Sequence, residues 1–135
     1  MYGSFYLFGG VGNNSSIGSN ALIHECWINS AGLGLQPLIA IGTSAALNPV
    51  ATLGAYGASK AAFISLIRTI AEENREHGIR ANVVSPNTMD TPANRASMPA
   101  TDPVKSANVA SLLVWLVSDA GAEVNGAVLP LPGRG

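Results

Sequence analysis

The sequence predicts an α/β fold built on a parallel sheet, and two observations carry that expectation. Short apolar runs alternate with longer segments of helical periodicity in the order βα, βα, βα, β. The run Pro37 to Gly42 is apolar almost throughout, as expected of a central strand covered on both faces.

Taken in order, Ser4 to Phe8 reads as a short buried strand rich in aromatics. A glycine-rich loop follows from Gly9 to Gly18. From about Ser19 to Ser30, Leu22, Ile23, Cys26 and Trp27 recur at helical spacing, and Gly32 and Gly34 stop that helix. Strand, glycine-rich turn and helix is the layout of a phosphate-binding unit, in which backbone N–H groups and a helix N-terminus receive an anion. The spacing is not the Gly-x-Gly-x-x-Gly fingerprint, so a cofactor loop and a plain flexible turn both stay open.

The strand Pro37 to Gly42 delivers Thr43 and Ser44 to its carboxyl end, where open α/β sheets bind ligands. A loop through Asn48-Pro49 leads to Gly54 and to a helix opened by Tyr56 and running to about His77. Phe63, Ile64, Leu66, Ile67, Ile70 and Ala71 make one apolar stripe on it; Arg68, Glu72, Glu73, Arg75 and Glu76 cover the polar side, and Gly78 ends it. His77 in the last turn complements the helix dipole and needs no catalytic role. Ile79 to Ser85 forms the next strand. The polar, proline-punctuated stretch Pro86 to Pro92 is then either a binding loop or a plain surface connection. Asp102-Pro103 reads as a cap-then-proline helix start. That helix carries Val109, Ala110, Leu112, Leu113, Leu116 and Val117, with Trp115 as core or interface packing, and Gly121 closes it. Ala127 to Leu131 is the last strand.

The 135 residues make a single domain, 1–135, with no internal repeat. Apolar residues are 47% and charged residues 11%, a balance that implies extensive burial, in the fold or against another copy. A net charge of −1 offers no nucleic-acid surface and no polybasic membrane patch. No run suits a membrane span or a signal peptide. Cys26 is single, which excludes an intrachain disulfide and makes a reducing cytoplasm the default compartment. His24 and Glu25 have no second ligand cluster, so no metal is assigned.

Tyr56 and Lys60 stand four apart and so share one helical face, one turn above the other. A phenol with an ordinary pKa of ~10 exchanges protons poorly at neutral pH, and a neighbouring ammonium favours its phenolate. The pair suits a tuned acid/base that donates to a developing alkoxide or takes a proton from an alcohol. A hydroxyl at the neighbouring strand end, Thr43 or Ser44, could hold the substrate oxygen.

With these residues in place, the chain resembles the short-chain dehydrogenase/reductase superfamily from about Ile39 to Gly135. Tyr56-Gly57-Ala58-Ser59-Lys60-Ala61-Ala62 resembles the family's catalytic helix start, its YxxxK motif. Ile79 to Pro86 resembles the strand that follows. Pro86 and Thr91 match the loop pattern Pro-Gly-x-x-x-Thr, with Asn87 in place of the glycine. Leu112 to Asp119 and Asn125 to Leu129 resemble the last helix and strand. The resemblance implies a Rossmann-like three-layer sandwich with a mostly parallel sheet, shortened in its N-terminal half. It also implies NAD or NADP, with Tyr56 as general acid/base, Lys60 holding the nicotinamide ribose, and Pro86, Asn87 and Thr91 bordering the ring. For the catalytic hydroxyl, the family spacing lands on Thr43 and the Ser-Ala-Ala string on Ser44; Ser44 is favoured.

The front of the chain departs from the family. Either Gly9 to Gly18 is an altered cofactor loop, similar to the Ser-Ile-bearing loop of the enoyl reductase branch, with Gly10, Gly12, Ser16 and Ile17 as its contacts. Or the front is a remnant of the helix before the serine strand, bearing the family's asparagine at Asn14 or Asn20. Both versions lack the residue that selects NAD or NADP. Two functions follow. One is an NAD(P)-dependent oxidoreductase interconverting a small-molecule carbonyl and a secondary alcohol. The other is a truncated derivative without catalysis of its own, serving as an oligomerising module or as half of a split enzyme. A homo-oligomer is expected in the first case as well. The loop Asn87 to Thr101 carries no group that names a substrate.

Overall fold

A computed structural model describes residues 7–8, 37–98 and 102–133. The expected loop Gly9 to Gly18, with Gly10, Gly12, Ser16 and Ile17, and the expected helix Ser19 to Ser30 lie outside the described residues.

Four strands form one parallel sheet in sequential order: β1 (Leu7–Phe8), β2 (Leu38–Ile41), β3 (Ala81–Pro86) and β4 (Val128–Leu131). Leu7 lies opposite Ile39, Leu38 opposite Ala81, and Val83 opposite Val128. Parallel neighbours need a crossover. Helix α1 (Gly54–Glu73) joins β2 to β3, and α2 (Pro92–Ser97) and α3 (Ser106–Val117) join β3 to β4.

The period-two alternation of the strands sorts the core into two layers. Leu38, Ala40, Ala81 and Val83 face α1 and pack on Ile64, Ile67 and Ala71. Ile39 and Val84 face the other way, onto Val104, Val109 and Leu116 of the α3 side. Every residue of β3 is consequently buried. The arrangement is the three-layer α/β sandwich that the sequence predicts. The strands advance in one direction while α1 and α3 cover opposite faces, so the two crossovers have opposite hands. One of them takes the hand that parallel connections rarely adopt.

Polar groups inside the sheet are matched. Asn82, fully buried, donates from Nδ2 to the Val124 carbonyl at 2.8 Å and accepts from the Ala127 N–H at 3.0 Å. Asn125 accepts from the Ala81 N–H at 2.9 Å, and the Gly126 N–H donates to the Ala81 carbonyl at 2.9 Å. Side-chain amides thus continue the ladder through the turn into β4. Arg80 spans the α3 side, one guanidinium nitrogen donating to the carbonyls of Leu116, Gly121 and Val124 at 3.0, 3.0 and 3.2 Å. Gly121 has no room for a side chain, since a Cβ there would stand 2.6 Å from the Trp115 carbonyl oxygen.

Several expectations are corrected. Helix α1 starts at Gly54, two residues before Tyr56, and its expected end at His77 is a 3-10 turn, Arg75–His77, closed by Gly78 at φ 69°. Leu66, assigned to the apolar stripe, is 42% exposed. Ala110 is also exposed, and Trp115, expected as core or interface packing, is exposed and so is not core. The stripe that packs is narrower because one sheet face receives about a third of a helix. Asp102-Pro103 does not open a helix. Val104 is held extended there, its N–H donating to the Thr88 carbonyl and its carbonyl accepting from the Asp90 N–H, both at 2.8 Å, and α3 begins at Ser106. Instead Thr91 caps the short helix α2 with Pro92 at its first position. No helix among the described residues is long and apolar enough to cross a membrane.

Candidate active site

The carboxyl ends of β2, β3 and β4 and the first turns of α1 converge on the candidate site. Strand β2 ends at Ile41, and Gly42 follows under close contact: a Cβ there would stand 2.6 Å from Ser85 Oγ and 2.9 Å from Val83 Cγ1. The chain then turns through a 3-10 segment, Ser44–Ala46. Thr43 is its cap, the hydroxyl accepting from the Ala45 N–H at 3.4 Å. The Ser44 hydroxyl donates to Asn87 Oδ1 at 3.1 Å. Of the two alternatives, Thr43 accepts within its own turn, while Ser44 donates across to the loop after β3.

This turn packs against α1 at Gly57, where a Cβ would lie 2.9 Å from the Ala45 carbonyl oxygen. That contact sets the first turn of α1, and with it Tyr56, against the serine segment. Tyr56 and Lys60 are both half-buried. Lys60 Nζ stands 5.9 Å from the centre of the Tyr56 ring and 5.8 Å from that of Phe63, within cation–π range. Among the described residues the ion pairs are Arg75–Glu72 and Arg95–Asp90, and none of those carboxylates pairs with the Lys60 ammonium. Its three donors suit vicinal hydroxyls such as those of a ribose.

Pro86 is buried at the end of β3. Asn87 continues the ladder, its N–H donating to the Leu131 carbonyl at 2.9 Å, while its side-chain Nδ2 donates to the Pro132 carbonyl at 3.3 Å. The Thr91 hydroxyl accepts from the Asn94 N–H at 3.2 Å as the cap of α2. Sequence reasoning missed the anchor in this loop: Arg95 grips Asp90 with two guanidinium nitrogens, one at 2.7 Å from Asp90 Oδ2. The hydrogen bond from Arg95, reinforced by its charge, holds the Asp90 carboxyl below the usual carboxylate range. No spacing signal identifies that pair. Helix α2, capped by Thr91, turns Arg95 back onto Asp90.

An apolar hollow of about 280 Å³ opens beside the site, lined by Ala45, Leu47, Val50, Leu53, Ala58 and Ala61 among others. Ser44, Tyr56 and Lys60 do not line it.

Comparison with known proteins agrees with the fold. The family model of enoyl-(acyl carrier protein) reductase matches residues 31–133. The cis-4-hydroxycyclohexanecarboxylate dehydrogenase of Sinomonas cyclohexanicum is 34% identical over an alignment 118 positions long that covers 73% of this chain and 47% of that protein. Among solved structures, acetoin dehydrogenase from Salmonella typhimurium superimposes with a TM-score of 0.63 at 31% identity, covering 72% of this chain and 41% of that one. A 3-ketoacyl-(acyl-carrier-protein) reductase from Brucella melitensis, complexed with NADH, shares the fold with a TM-score of 0.63 at 23% identity, over 73% of this chain and 43% of that one. The chain thus spans less than half the length of each of these relatives. Both the residues and the matches carry one conclusion: this chain belongs to the short-chain dehydrogenase/reductase superfamily.

Proposed function

We propose that the chain is an NAD(P)-dependent oxidoreductase interconverting a small-molecule carbonyl and a secondary alcohol. The observation that carries the reading is the Tyr56–Lys60 pair, ammonium over phenol at 5.9 Å, on a helix packed against the Ser44 turn. When bound, nicotinamide supplies or accepts the hydride at the substrate carbon. Tyr56 passes the proton: it gives one to the oxygen as the carbonyl is reduced and takes one as the alcohol is oxidised. Ser44 orients that oxygen. Lys60 would hold the ribose hydroxyls, and Pro86, Asn87 and Thr91 would border the nicotinamide; Gly10, Gly12, Ser16 and Ile17 are proposed for the phosphates. The dehydrogenases and reductases among the relatives, one of them with NADH, support this assignment.

The test is Tyr56→Phe, which removes the transferable proton and keeps the ring. Turnover should fall by about 100-fold or more, with NADH and NADPH affinity, followed by tryptophan fluorescence, little changed. Undiminished turnover would rule out the proposed chemistry.

A second reading is favoured by the outer face of α3, where Val114 is 66% and Trp115 41% exposed. Here the chain is a pairing module, joining a second copy or a longer relative. Light scattering combined with cofactor titration separates the two: a dimer or tetramer that binds neither NADH nor NADPH is the pairing module.

A further inference from the structure

We propose that Asn87 is a positioning residue that holds the single proton of Ser44, so that Ser44 meets a substrate oxygen as a hydrogen-bond acceptor until that bond is released. The kinetic consequence rests on the oxidoreductase reading; the contact itself does not.

The argument turns on which end of the Asn87 amide faces which neighbour. The Pro132 carbonyl has no proton to give, so the group facing it at 3.3 Å must be the NH2 end. That leaves Oδ1 facing Ser44 at 3.1 Å. An amide oxygen accepts and does not donate, so the Ser44 hydroxyl must be the donor in that contact. A serine hydroxyl has one proton. Both backbones that carry this contact are fixed: the Asn87 N–H is in the ladder with Leu131, and the Ser44 carbonyl accepts from Leu47 and Asn48 at 3.0 and 2.9 Å. The Thr43 hydroxyl accepts from the Ala45 N–H as the cap of the same turn and makes no bond to Asn87 among the described residues.

A carbonyl oxygen, and still more a developing alkoxide, calls for donors. Ser44 serves it once the bond to Asn87 has been exchanged for one to the substrate. Removing the amide makes that exchange unnecessary. Asn87→Ala keeps the backbone N–H and deletes both side-chain bonds. It should raise kcat/KM by roughly two- to tenfold, the factor corresponding to one net hydrogen bond. The rise must be the same for reduction and oxidation when cofactor terms are included, since the equilibrium constant of the reaction is not the enzyme's to change.

The experiment compares the full chain with S44A, N87A and the double variant. Without substrate or cofactor, NMR of the Asn87 side-chain carboxamide should show its signals displaced by S44A. In kinetics, N87A should raise kcat/KM by a larger factor when Ser44 is present than in the S44A background. Carboxamide signals identical in wild type and S44A overturn the proposal. So does a fall in kcat/KM for N87A, or an equal rise with and without Ser44. If no variant turns over, the oxidoreductase reading falls, and the NMR comparison, which needs no change at Asn87, still decides whether Asn87 holds the Ser44 proton.

Discussion

Gly42→Ala tests how tightly the two strands are joined just below the candidate site. The new methyl would meet Ser85 Oγ at 2.6 Å, Val83 Cγ1 at 2.9 Å and Ile64 Cδ1 at 3.6 Å. Ser85 can relieve its contact by rotating about χ1. Val83 cannot easily do so, because it is β-branched and fully buried. Forcing a methyl into such a core costs about 1–3 kcal/mol. Gly42 is not among the residues with positive φ, so alanine also reduces unfolded-chain entropy, which returns about 0.4–1 kcal/mol. The clash wins by about 1–2 kcal/mol. With a urea slope of about 1–3 kcal/mol per molar, the midpoint should fall by roughly 0.5–1 M. Ser85→Ala supplies the control. Its hydroxyl is buried and lacks a hydrogen-bond partner among the described residues, so deleting it should leave the midpoint unchanged or slightly raised. In the S85A background the cost of Gly42→Ala should shrink to the Val83 share. An unchanged midpoint for Gly42→Ala would refute the close approach. A fall of about 1 M or more for S85A would show that its hydroxyl has a partner.

Other outcomes follow from the contacts described. Arg80→Ala removes a cationic donor from three carbonyls and should destabilise by about 2 kcal/mol, with faster amide exchange after Leu116 as its local signature. Asp90 has a lowered pKa in the folded chain, so it binds its proton less readily there than when unfolded. Its contribution to stability is fully present above the usual aspartate value of ~3.9 and lost as pH falls through the lower folded one. The midpoint difference between wild type and Asp90→Asn should therefore be constant near neutrality and vanish in acid. A difference that persisted there would remove Arg95 as the cause.

Local signals made much of this fold legible. The run from Pro37 to Gly42 announces a strand because both of its faces are buried, and Gly78 closes the 3-10 turn after α1 because its positive φ suits a residue without Cβ. The tyrosine helix and the hydroxyls at the strand end were legible for the same reason. Where a distant contact decides the outcome, local reading fails. Asp102-Pro103 has the pattern of a helix start, yet Val104 is claimed by the loop around Met89. Conversely, Thr91-Pro92 carries the same pattern and does open a helix, within a stretch read as loop. The partners of Asn87 lie 43 and 45 residues away in the chain, so no spacing rule could connect them.

The amides of Asn82 act as the zero mark of a ruler. They seize the chain at Val124 and Ala127 as it enters β4 and so choose which residue of that strand stands opposite which residue of β3. Five residues further along, the same count brings the Pro132 carbonyl beside Asn87, and Asn87 beside Ser44. A slip of one residue would carry that carbonyl away by about 3.3 Å and turn alternate side chains to the wrong face. The aim of one hydroxyl at the carboxyl edge is thus set by an uncharged side chain roughly 16 Å down the strand, inside the sheet.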